Sequence, residues 1–142
     1  MIIIKDEEYI LNLCDKILGQ KSLRQHRFDF LLGDKGKDGK QTKLPVDSFY
    51  PELNLVIEYK EKQHTEEVSF FDKKNRLTVS GVHRGEQRKI YDQRRRDILP
   101  KHNIRLIELS YSEFAYDSQK RLMRNEMNDI KILKEKLKVW IK

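Results

Sequence analysis

The chain has 142 residues, 37% of them hydrophobic and 37% charged, with a net charge of +7 and a sequence pI near 9.4. That length supports one domain with its own core, and the longest apolar runs, Ile2-Ile3-Ile4 and Leu55-Val56-Ile57, are too short to span a bilayer. A single cysteine, Cys14, excludes an internal disulfide, and no basic-then-apolar leader opens the chain, so a cytoplasmic protein is expected.

Asp6-Glu7-Glu8-Tyr9 starts a helix with acids in its first turn, where the helix dipole favours them. Ile10, Leu13, Cys14, Ile17 and Leu18 follow as an amphipathic stripe, and Gly19 suits the C-terminal cap. Cys14 lies on that stripe and reads as a buried thiol. Arg27–Leu32 reads as a strand, and 33–40 as a polar, glycine-rich hairpin loop. Gly39-Lys40-Gln41-Thr42 resembles the end of a phosphate-binding loop, but Asp34 stands where that loop needs its first glycine. Lys43–Phe49 and Leu55–Lys60 read as two further strands, and His64–Gly85 has no clear assignment. Glu86–Lys101 reads as a helix, Arg105–Leu109 as a fourth strand, and about 117–141 as a long C-terminal helix. Ile130, Leu133, Leu137 and Trp140 on that helix form a stripe that packs on the domain or on a second copy. The expectation is a single α/β domain in the order α-β-β-β-α-β-α, with its core over residues 6–110.

The charge is unevenly spread. Residues 47–70 carry −4, between basic segments 21–46 at +4 and 71–105 at +7. A surface that only bound phosphates would have no use for that acidic island, whereas a metal-dependent nuclease would. The island contains Asp47, Glu58 and Lys60 within apolar strand sequence, where a charge costs several kcal/mol unless it is compensated. With Pro51-Glu52 at the centre of the turn, Asp47 pairs with Val56, and Asp47, Glu58 and Lys60 share one face. Two carboxylates there could bind a hard cation such as Mg²⁺, with Lys60 orienting a water or meeting developing phosphorane charge. An exposed Glu/Lys pair at the end of an edge strand is the other reading of the same spacing.

Pro45-Val46-Asp47, then Glu58-Tyr59-Lys60 ten residues on, resembles the motif of the PD-(D/E)xK, or restriction-endonuclease-like, nuclease superfamily, and the deduced element order resembles its core. His64 and Asp92-x-x-Arg95-x-x-x-Leu99 ahead of a strand resemble the branch around very-short-patch repair endonucleases. Gln87-x-x-x-Tyr91 matches a pattern of RecB-type members. Lys60 stands where the repair branch has an acid, and no cysteine/histidine zinc set is present, so mismatch repair is not implied.

The resemblance implies a Mg²⁺-dependent endonuclease acting on DNA, with Mn²⁺ as a substitute. Asp47 and Glu58 would be the metal ligands and Lys60 the third catalytic residue. It adds supporting roles for Glu8 (with Glu7 beside it) as an accessory acid, for Gln63 and His64 at the active edge, and for Gln87 and Tyr91. Arg95 becomes the best phosphate contact, and Arg94 and Arg96 are left to solvent. Tyr91 as core, the 33–43 segment as either DNA clamp or plain surface, and a silent nucleic-acid-binding module all remain open. So does an assembly protein that dimerises through its last helix.

Overall fold

The computed structural model describes residues 3–61 and 84–141. Three α-helices and four strands follow one another as α1 (Asp6–Leu18), β1 (Leu23–Lys35), β2 (Gln41–Tyr50), β3 (Leu55–Lys60), α2 (Arg84–Ile98), β4 (Arg105–Ser110) and α3 (Glu126–Leu137). The sheet order is β1-β2-β3-β4. The first two pairs are antiparallel and β3–β4 is parallel, with α2 on the connection between them. The protein is therefore a mixed α/β domain, and among the described residues its element order is the one expected. No helix of the described residues is long and apolar enough to cross a membrane.

Every residue of β3 is buried, as a central strand covered on both faces must be. On one face Leu55, Ile57 and Tyr59 pack with Ile10 and Leu13 of α1 and with Leu133 and Leu137 of α3. On the other, Val56 packs with Leu44, Val46, Leu99 and Ile104, flanked by Tyr91 and Ile98. The C-terminal stripe packs on the domain itself: Leu133 and Leu137 are fully buried, and Ile130 and Trp140 lie against the same cluster. Cys14 is buried there too, and desolvation pushes its thiol up to about 12.

Several boundaries differ from expectation for local reasons. β1 is longer at both ends, and its turn to β2 is closed by the Gly36 amide on Lys40 O at 2.9 Å and the Gly39 amide on Gly36 O at 3.0 Å. The β2–β3 register is shifted by two residues, with Phe49 opposite Val56 and Ser48 opposite Ile57. Asn54, at φ 49°, takes the left-handed position that closes the turn, and this moves the turn's centre toward Leu53. A two-residue shift preserves which face each side chain takes. α2 gives way at Leu99 to a 3-10 turn that Asn103 ends at φ 61°.

The last helix is much shorter than the 117–141 expected, because Asp117 builds a turn instead. Its carboxylate accepts from the amides of Gln119 (2.9 Å) and Arg121 (3.0 Å), and Tyr116 bridges to Leu122. The helix starts only where Asn125 caps the Asn128 amide.

Candidate active site

β2 does not follow β3 to its end. Val46 packs on the α2 side, while Tyr50, four residues along, packs on the α1 side. Burial alternates regularly over Leu44, Val46, Ser48 and Tyr50, and the pairing with β1 runs without a shift from Pro45 to Phe49, so one face of β2 serves both clusters. The last backbone pair is Ser48 with Ile57. Beyond it, side chains bridge the strands: the Asp47 amide donates to Glu58 Oε2 at 2.6 Å, and the Tyr59 amide donates to Asp47 Oδ2 at 2.8 Å.

Glu58 is 3% exposed and its other oxygen, Oε1, lies 3.5 Å from Lys60 Nζ and 3.6 Å from Arg95 Nε. Lys60, 7% exposed, donates to Asp92 Oδ1 at 3.0 Å and lies 3.7 Å from Glu108 Oε1. Arg95 binds the same Asp92 oxygen at 3.1 Å and the Pro45 carbonyl at 3.1 Å. Glu108 is the Cα partner of Glu58 across the parallel β3–β4 pair, and Arg96 grips it with two nitrogens, at 2.8 and 2.9 Å.

The carboxylates outnumber the cations around them. Desolvation, and then the charge of Glu7, hold Asp47 well above the usual carboxylate range; backbone and cationic neighbours only partly offset this. Glu58 is raised by desolvation and then by Asp47. Glu7 is itself raised, by burial, Glu61 and Glu58. A partly desolvated acidic pair that resists ionisation favours an added cation.

Mg²⁺ commonly takes one or two protein carboxylates, keeping its other positions for water and phosphate oxygens. Asp47 and Glu58 fit that donor chemistry: each uses one oxygen on a backbone amide, and Asp47 Oδ1 accepts no hydrogen bond among the described residues. No group of three or more acidic, histidine or cysteine side chains suited to a metal occurs among the described residues.

Asp47, Glu58 and Lys60 thus come together as expected, with Arg95 beside them. Arg95 is half-buried, its Nε held by Pro45 O and Glu58 and its Nη1 by Asp92. Arg96 is exposed, as expected, though it pairs with Glu108, whereas Arg94 is half-buried and binds Leu32 O and Asp34. Glu7, not the exposed Glu8, interacts with the acidic pair.

Gln87 and Tyr91 do share a helix face, but Tyr91 turns toward β1. Its hydroxyl accepts from the Asp34 amide at 2.9 Å and from Gln87 Nε2 at 3.2 Å. A Cβ at Gly33 would sit 3.0 Å from that oxygen and 3.2 Å from Leu44 Cδ2, so a larger residue there would push one of them aside by a few tenths of an ångström. Gln63 and His64 lie outside the described residues.

Sequence reasoning gave no role to Asp92 or Glu108. The signal was present in both cases: an acid amid the arginines of one helix, and a charge inside an apolar strand. No family model matches the chain, and neither does any curated protein or solved structure.

Proposed function

We propose that the protein is a metal-dependent nuclease of restriction-endonuclease-like architecture, with DNA as its substrate. In this reading Asp47 and Glu58 hold Mg²⁺ or Mn²⁺, and Lys60 is the third catalytic residue. The observation that carries it is the pairing of half-buried Asp47 with buried Glu58, both acids raised, with Lys60 Nζ 3.5 Å from Glu58 Oε1. A mixed sheet with α1 on one face and α2 on the other, and the acids where two strands part, is consistent with that architecture.

A divalent cation bound there supplies charge that polarises a phosphate oxygen and acidifies a water. Asp47 and Glu58 present anionic oxygens fixed by backbone amides, so they need little reorganisation. Lys60 is the donor placed to orient an attacking water or to meet negative charge developing on phosphorus, and Asp92 fixes its position. Lys35, Lys37 and Lys40 stand exposed on the β1–β2 turn and attract the phosphate backbone, which makes binding salt-sensitive.

A silent nucleic-acid-binding module is the second reading. It is favoured by the fact that Lys60 and Arg95 already pair with Glu58 and Asp92. Plasmid, nicked, branched and single-stranded DNA, each tested with Mg²⁺ and with Mn²⁺, separate the two. The nuclease reading expects metal-dependent cleavage of at least one form, abolished in Glu58→Gln. Binding without cleavage of any form in either metal selects the silent module.

A further inference from the structure

A groove of about 980 Å³ runs along the α1 side of the sheet and reaches the acidic pair only through Glu7. Glu7, whose charge reaches Asp47, lines it, together with Gln25, Tyr59 and Glu61. Its far wall is the turn that Asp117 builds, carrying Lys120, Arg121 and Arg124.

Three observations make this more than a surface hollow. Tyr59 is 2% exposed, yet its hydroxyl makes no hydrogen bond among the described residues, nor is it a sealed-off buried atom. The hydroxyl is therefore the part of the side chain that opens into the groove. Gln25 and Lys120, both lining residues, have φ values of 50° and 63°, the left-handed region that such side chains rarely adopt. Finally, the basic wall is not wholly neutralised within the protein. Arg124 is committed to Asp6 and the Ile4 carbonyl, but Arg121 is 67% exposed and among the described residues has only Asp117, at 3.5 Å, as an ion-pair partner.

We infer that this groove binds the nucleotide adjoining the phosphodiester at Asp47 and Glu58, in single-stranded form, with Arg121 on its phosphate and the Tyr59 hydroxyl on its base or sugar. The choice of ligand rests on the nuclease reading. The volume lies within the range of small-ligand sites, so the groove takes one or two nucleotides of an unpaired strand. The charge order also suits a strand, with acids beside the cleavage site and cations one step away.

The test is binding of a fluorescein-labelled single-stranded decanucleotide to the full chain in EDTA, followed by anisotropy over a range of salt. Tyr59→Phe removes only an unpartnered oxygen, so folding should persist, and the affinity should fall about fivefold. Arg121→Ala should weaken binding and lower the salt slope by about one. Wild-type affinity and slope in both variants would overturn the groove assignment. Cleavage is scored separately. If the wild type cuts no DNA while both variants lose binding, the nuclease reading falls and the groove stands. If the wild type cuts and neither variant changes binding, only the groove falls.

Discussion

Asp47 and Glu58 hold each other's strand by reciprocal hydrogen bonds: the amide of Asp47 on Glu58 Oε2, and the amide of Tyr59 on Asp47 Oδ2. The two acids proposed to bind metal are thus also the pins that close the gap where β2 leaves β3. Burial opposes the ionisation of both, joined by the charge of Glu7 at Asp47 and of Asp47 at Glu58, so the site works against the stability of its own sheet.

Replacing Glu58 by Gln should stabilise the metal-free protein at neutral pH by about 1 kcal/mol or more. The amide oxygen can still accept from Asp47. Glu58 has a folded-state pKa above its unfolded value. Its contribution is therefore fully present below the unfolded pKa and is lost as pH rises through the folded one. The advantage of Glu58→Gln should accordingly shrink toward zero near pH 4. Urea denaturation of both proteins across pH checks this; a less stable variant at neutral pH would refute it.

Mg²⁺ should raise the melting temperature of the wild type, and more so at pH 8 than in mild acid, where the raised carboxyls hold protons against it. Asp47→Asn and Glu58→Gln should abolish the shift. Calorimetry at matched ionic strength is the measurement, and equal shifts in all three proteins would remove these residues as ligands.

Two acids pair with cations at different depths, Asp92 buried and Glu108 partly exposed. Asp92 is buried against Lys60 and Arg95, and Asp92→Ala should cost about 3–5 kcal/mol, because both cations lose a buried partner. Glu108 pairs with a half-exposed Arg96, and Glu108→Ala should cost no more than about 1 kcal/mol. Denaturation midpoints decide the order.

Tyr91→Phe removes the acceptor of the Asp34 amide and should cost about 1 kcal/mol. Gly33→Ala should also destabilise, by driving a methyl against the same oxygen. Because both changes act on one contact, the double variant should be more stable than the sum of the two single losses implies. Simple additivity in thermal denaturation would count against the contact.

Much of this was legible in the sequence. Periodicity gave α1 and its Gly19 cap, and charged residues inside apolar runs singled out Asp47, Glu58 and Lys60. What escaped depends on contacts distant in sequence or on competing local hydrogen bonds. Asp117 resembles a helix start until its carboxylate folds back on Gln119 and Arg121, leaving Asn125 as the real cap. Arg95 reads as a phosphate contact and Arg94 as solvated, because their partners Asp92 and Asp34 are identified only once the chain has folded. The register missed by two residues because Asn54 accepts a left-handed backbone that a simple Pro51-centred turn does not need.

The strand gap at Asp47 also gives the molecule a pair of intrinsic reporters. The amide protons of Asp47 and Tyr59 end on carboxylates rather than on carbonyls, so anything that recruits those carboxylates changes the shielding and solvent exchange of two backbone protons in the sheet. Isotope-edited spectra of these two resonances would register site occupancy with no substrate turnover at all.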